Sequence, residues 1–229
     1  MQQNIKLYFA VFLLLCENTD LSCIFILQCS QLALSLHVIM DDFYEDIKNA
    51  SEVLIKGGII LYPTDTIWGI GCDATNEEAV QRVFTLKQRS DSKAMLVLVD
   101  SPAKLEAYVS EVPEMAWDLV EVADKPLTII YPEGKNLAKS LLAEDKSVGI
   151  RVTGEPFSKK LCERFRKPIV STSANISGQP SPASFNEISE DVKNGVDYIV
   201  NYRREEQIRC NPSGIIRIET DNSIQIIRK

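Results

Sequence analysis

From Asp41 onward the chain alternates short apolar runs with amphipathic stretches. Phe43, Ile47, Ala50, Val53 and Leu54 recur at helical spacing between charged residues, and Gly57-Gly58 ends the run. Ile59–Tyr62 then reads as a short buried strand stopped by Pro63. Glu77–Lys87 reads as a helix with Asn76 as its N-cap, and Met95–Val99 as a strand. Ser101-Pro102 opens a further helix with proline at its first position. Apolar strands follow at Leu127–Tyr131, Val148–Val152, Pro168–Ser171, Tyr198–Val200, Gly214–Ile218 and Ile224–Ile227, with helical segments near 114–123, 155–166 and 185–194. Strands alternating with helices predict an α/β fold. The closely spaced last strands form a hairpin, so the expected architecture is a single domain with an open mixed β-sheet and flanking helices.

Residues 1–39 break this pattern. They contain no Gly or Pro and almost no charge. Leu7–Cys16 has the length of a signal-peptide apolar region but is too short to span a bilayer, and no small-x-small cleavage site follows it. A secretory signal, a membrane-associated or packing helix, and a stretch lying upstream of a true start at Met40 are the three readings. The expected division is an apolar extension over 1–39, outside the functional domain, and a functional domain over 40–229.

Composition narrows the chemistry. The 229 residues carry a formal net charge of −7, which argues against broad, sequence-independent nucleic-acid binding but leaves room for a local basic groove. The one histidine, His37, lies outside every candidate motif, so histidine triads, bases and metal ligands are nearly excluded. The six cysteines form no CxxC pair and fit buried thiols in a reducing, cytoplasmic compartment. No protein-ligated metal is expected. Neither a dinucleotide fingerprint nor a P-loop is present.

What remains is a set of small, hydroxyl and basic residues at strand ends, where ligands bind in α/β folds. Thr64 and Thr66 follow the first strand, with Gly69 and Gly71 allowing close backbone approach. Ser171, Thr172, Ser173, Asn175 and Ser177 crowd the end of another: one or two such residues cap a turn, whereas five together suit a phosphate or carboxylate cradle. Lys87 and Arg89 either complement a helix C-terminus or converge on a ligand where the chain leaves the helix. Arg151, inside an apolar strand, is either paired with an anion or turned to solvent at a sheet edge. Asp65 could meet an amine or a metal, or cap a turn. Cys72 reads as a buried small residue, and Trp68 as a packed aromatic more than a base-stacking one.

The combination of YPTDTIWGIGCDATNEEAVQRVFTLKQR, SVGIRV, PIVSTSANISGQPSP and NPSGIIRI resembles the YrdC-like threonylcarbamoyl-adenylate synthase family, from about Ile47 to the C-terminus. Its K-x-R and S-x-N signatures stand as Lys87/Arg89 and Ser173/Asn175. The resemblance implies a twisted sheet with a concave ligand-binding face. It also implies synthesis of L-threonylcarbamoyl-AMP and pyrophosphate from L-threonine, bicarbonate or CO2, and ATP, with Mg²⁺ accompanying ATP as substrate. Thr66, Arg151, Ser171 and Ser213 match threonine-contacting positions. Arg89, Lys93, Ser147, Ser173, Ser181 and Arg228 match nucleotide-contacting ones, and Lys87, Arg89, Ser173 and Asn175 form the catalytic signatures. Lys93 stands where many relatives have Asn, and Leu98 where longer relatives carry a threonine-contacting His. The chain resembles the short, single-domain form, which implies a downstream threonylcarbamoyl-transferase complex, contact with tRNA and no stable membrane partner. The alternative is a double-stranded RNA or tRNA binder of the same fold without synthase activity.

Overall fold

The structure is a computed structural model that describes residues 43–88, 95–206 and 212–228. The 1–39 extension, Arg89 and Lys93 lie outside the described residues. The first helix, α1 (43–55), buries Ile47, Ala50 and Leu54. It stops at Gly57, whose φ of +76° is left-handed, while the Gly57 and Gly58 N–H groups donate to the Leu54 and Val53 carbonyls.

In chain order there follow β1 (Ile60–Tyr62), β2 (Gly69–Gly71), α2 (Glu77–Leu86), β3 (Leu96–Val99), α3 (Leu105–Tyr108) and α4 (Glu114–Val122). Next come β4 (Leu127–Tyr131), β5 (Val148–Val152), α5 (Pro156–Phe165), β6 (Ile169–Ser173), α6 (Glu190–Asn194), β7 (Tyr198–Ile199), β8 (Gly214–Ile218) and β9 (Ile224–Arg228). Asn76 caps α2 through the Ala79 N–H, and Ser101-Pro102 opens one 3-10 turn that runs into α3.

The strands form one sheet in the order β7-β1-β2-β6-β3-β5-β4-β8-β9. The β1/β7, β3/β5 and β4/β8 pairs are parallel and the others antiparallel, so the expected mixed open sheet is found.

Two expectations differ from the structure. Gly69–Gly71, placed after the first strand for close backbone approach and not among the expected strands, is a strand paired on both sides. Glycine disfavours strands, but neighbours here need its missing side chain: a Cβ on Gly71 would lie 2.6 Å from the Tyr62 ring and 2.8 Å from the Val170 carbonyl. The single helix expected near 185–194 is split into a 3-10 turn, Phe185–Glu187, and α6, because Ile188 between them turns into the core.

Strand alternation sorts the side chains onto two faces with different fates. Leu61, Ile70, Val97, Val99, Ile129, Tyr131, Val148, Ile150 and Val170 build the larger core with α2 and α4. On the opposite face α1 and α5 cover Ile60, Tyr62, Leu98 and Ile169 with Phe157, Leu161, Cys162 and Phe165. The register runs Ser171–Leu96–Gly149–Ile130–Arg217 across the next row of that second face. None of these five belongs to the buried aliphatic cluster under α1 and α5, although Leu96 packs at its border. The helices therefore leave part of this face as the floor of a concavity. Among the described residues no helix is long and apolar enough to cross a membrane.

Because Gly71 abuts backbone as well as a ring, Gly71→Ala is expected to destabilise the fold by about 1–3 kcal/mol, the usual range for overpacking. A urea midpoint measured against wild type checks this, and an unchanged midpoint would contradict the packing described.

Candidate active site

The uncovered part of the sheet opens into a small cavity of about 130 Å³. Thr66, Arg151, Ser171, Ser173, Ser181, Ser213 and Arg228 all line it. These seven positions come from six separate segments, which the sheet brings to one place. Ser171 and Ser173 alternate on β6 so that both face inward, and Gly69 beside Ser173 supplies no side chain to fill the space.

Arg151 is the cavity's buried cation, with 2% of its side chain exposed. Its Nη2 lies 2.9 Å from Asp65 Oδ1, which settles the sequence alternatives: Arg151 is the paired, buried arginine, and Asp65 is its counter-ion. The contact is an ion pair without hydrogen-bond alignment, so Asp65 Oδ1 has no hydrogen-bond partner, and Arg151 Nε, which does not take part in the contact, has none either, although both are buried. Burial pushes the Asp65 carboxyl up while Arg151 pulls it down, and burial pushes Arg151 down while Asp65 holds it up. Each charge is kept in place by the other. A buried guanidinium with an unspent donor, surrounded by hydroxyls, is suited to receive a carboxylate or phosphate oxygen.

The Thr64–Trp68 loop holds its own shape. Thr64 Oγ1 donates to the Ile67 carbonyl at 2.7 Å and accepts from the Thr66 N–H, and it stands 3.1 Å from Thr66 Oγ1. This fixes Thr66 at the cavity wall, as hydroxyl-centred turns do. On the opposite wall, Arg228 donates through Nε to the Ser213 carbonyl at 2.9 Å, and Ser213 Oγ meets Thr128 Oγ1 at 2.9 Å. Thr128 was not singled out from the sequence. The signal was there, as a threonine inside the apolar run Leu127–Tyr131, but its partner is 85 residues away.

Lys87 and Asn175 are not among the residues lining the cavity. Lys87, 2% exposed, directs its ammonium at the carbonyls of Ser173, at 2.5 Å, and Asn175, at 2.7 Å. Ser173 Oγ in turn donates to Asn175 Oδ1, and Asn175 Nδ2 donates to the Gln179 carbonyl at 2.6 Å. Lys87 and the Ser173/Asn175 pair thus knit the end of α2 to the end of β6, and that junction orients Ser173 at the cavity. Ser147 is buried at the start of β5 on the same face as Gly149 and Arg151, but it does not line the cavity. Leu98 is fully buried with Phe157 and Cys162 beneath α5. Trp68 borders the cavity and packs on Phe185 with ring centroids 4.9 Å apart, and the Cys72 thiol is pushed up by burial. Among the described residues no group of three or more His, Cys, Asp or Glu could hold a metal ion.

The family model Sua5_yciO_yrdC, described as telomere recombination, matches residues 52–229. The chain belongs to the Sua5/YciO/YrdC family. A relative from Pseudoalteromonas translucida (strain TAC 125), named Threonylcarbamoyl-AMP synthase, is 35% identical over 158 residues, which are 68% of this chain and 84% of the relative. One from Vibrio cholerae (strain ATCC 39541), with the same name, is 33% identical over 188 residues, 81% of this chain and 97% of the relative. Among solved structures, P. abyssi Sua5 complexed with L-threonine is similar with a TM-score of 0.69 and 30% identity over 75% of this chain. This Sua5/YciO/YrdC chain spans half the length of that one.

Two outcomes follow from the charges, one inside this site and one at Asp145 outside it. Asp65→Asn leaves Arg151 buried without its counter-ion and is expected to cost about 3–5 kcal/mol at neutral pH, read from denaturant unfolding. Asp145 is held at about 2 by hydrogen bonds from Ser147 and Arg217. A carboxyl lowered in the folded state contributes stability above its unfolded value and loses it as pH falls toward the folded one. Asp145→Asn should therefore flatten the loss of stability between about pH 4 and pH 2. Unfolding midpoints at the two ends of that window check it, and an unchanged slope would contradict it.

Proposed function

We propose that this chain is an L-threonylcarbamoyladenylate synthase, converting L-threonine, bicarbonate and ATP into threonylcarbamoyl-AMP and pyrophosphate. The observation that carries this reading is Arg151, a buried cation with an unspent donor in a hydroxyl-lined cavity, in a chain similar over most of its length to proteins named Threonylcarbamoyl-AMP synthase. The similar Sua5 structure was solved with L-threonine.

In this reading Arg151 receives the threonine carboxylate, and Thr66, Ser171 and Ser213 orient the rest of the amino acid. Arg89, Lys93, Ser147, Ser173, Ser181 and Arg228 serve the nucleotide. Lys87 and Asn175 act by positioning Ser173, given the bonds they make to its carbonyl and hydroxyl.

Threonine's amine and bicarbonate form a carbamate with loss of water. A carbamate oxygen then attacks the α-phosphorus, the bond from that phosphorus to the bridging oxygen breaks, and pyrophosphate leaves. Negative charge gathers on phosphate oxygens throughout, so the work is positioning and electrostatic stabilisation by fixed cations and hydroxyls. No histidine base is needed. Mg²⁺ arrives on the phosphates of ATP and is held there, since divalent ions at such sites keep mainly phosphate and water oxygens. The product suits a cytoplasmic partner complex that transfers the threonylcarbamoyl group to a tRNA adenosine. We assign the activity to residues 40–229.

The test is pyrophosphate release from ATP, bicarbonate and Mg²⁺, with and without L-threonine, by the full chain and by residues 40–229. Threonine-dependent release with a product of threonylcarbamoyl-AMP mass is expected from both. Arg89→Ala should lower it by about a hundredfold or more without loss of fold. A folded wild-type chain that releases no pyrophosphate when threonine is added would overturn the reading.

A further inference from the structure

We infer that Arg203 is a positioning residue of the threonine pocket, acting from outside it through the Thr64–Trp68 loop. The inference rests on the synthase reading and extends it to a residue that no site motif contains.

Three observations converge on Arg203. Its backbone is left-handed, with φ of +67°, a conformation in which glycine is the default and a long side chain is disfavoured. Its guanidinium is partly buried and reaches two elements at once: Nη1 donates to the Thr64 carbonyl at 3.2 Å and to Glu155 Oε1 at 3.3 Å, while Nε donates to Glu206 at 2.7 Å. Glu155 is itself fixed, because its other oxygen caps α5 by accepting from the Ser158 N–H and hydroxyl, both at 2.7 Å. Ser158 Oγ also lies within hydrogen-bonding reach of the Pro63 carbonyl. Arg203 thus holds the loop at the Thr64 carbonyl, immediately before Asp65 and Thr66, and the α5 N-terminus stands beside it at Pro63.

The segment that carries Arg203 does not need this grip for its own placement. Asp46 accepts the Asn201 and Tyr202 N–H groups, and Arg204 donates to the Ile199 and Val200 carbonyls. The Arg203 side chain bonds to none of those anchors; it reaches the loop and Glu155, and Glu206 within its own segment. Charges alternate along the way: Arg151, Asp65, Arg203 and Glu155, with ion pairs at both ends. A loop held this way presents Thr66 and keeps Asp65 against Arg151, so threonine meets a preformed pocket.

Arg203→Gly separates positioning from folding, because glycine accepts the left-handed backbone while removing the grip. In the full chain the threonine KM is expected to rise about tenfold, with kcat within about twofold, the ATP KM unchanged and the melting temperature unchanged or higher. Arg203→Lys should recover part of the threonine KM. Should the glycine variant not fold, Arg203→Lys and Glu155→Gln carry the same comparison, each raising the threonine KM alone. A threonine KM equal to wild type in the folded variants, or threonine and ATP KM rising together, would overturn the inference while leaving the synthase reading intact. Absence of threonine-dependent turnover in the wild-type chain would overturn both.

Discussion

Everything at the site depends on one arginine placed where an arginine is costly. Arg151 sits in a central strand, flanked by β3 and β4, with almost no exposed side-chain surface. Such a charge persists only if it is paired, and its partner, Asp65, is delivered by the first strand-to-strand loop. The pair links the sheet's middle to a loop beyond two intervening strands, which makes the loop's conformation part of the electrostatics of the core. Arg151 Nε remains buried without a hydrogen-bond partner, in a residue that lines a cavity walled by hydroxyls. A buried cation among hydroxyls is chemically suited to an anionic group.

The concavity itself is a consequence of unequal coverage. One sheet face is packed along its length by apolar side chains beneath α2 and α4, whereas α1 and α5 cover only part of the other. Small residues keep the uncovered part open: Gly69 and Gly149 face it with no side chain, and Ser171 and Ser173 face it with short polar ones. Rigidity comes from bonds that cross between distant segments. Lys87 holds the end of β6, Ser213 meets Thr128, and Arg228 holds Ser213. Sites built on such scaffolds are more precise than sites on free loops, which matters for a reaction driven by positioning.

Much of the fold was legible in the chain because its apolar periods agree with its punctuation. The α1 stripe ends at Gly57, Asn76 stands before α2, and the strands bounded by charged or turn residues are found within a residue or two of their expected limits. Strand β2 was not legible: its glycines signal a loop locally, and only the Tyr62 ring and the Val170 carbonyl explain why they are there. The site was legible as a list of residue types at strand ends. Their division of labour was not, since Lys87 and Asn175 carry the same kind of side chain whether they face a ligand or hold a turn.

The sequence by itself determined the alternation of elements, the family resemblance and the lack of a P-loop motif or of a histidine in any candidate motif, since these depend on residue identity and near-neighbour spacing. Tertiary structure alone decided that Asp65 belongs to Arg151, that Thr128 belongs to Ser213 and that Arg203 reaches Thr64. Those contacts join residues 85 to 139 positions apart, or a loop to a strand with other strands between them. Local propensity carries no information over such separations. They are set by strand order and by the need of each buried charge and hydroxyl to find a partner once the sheet has closed around it.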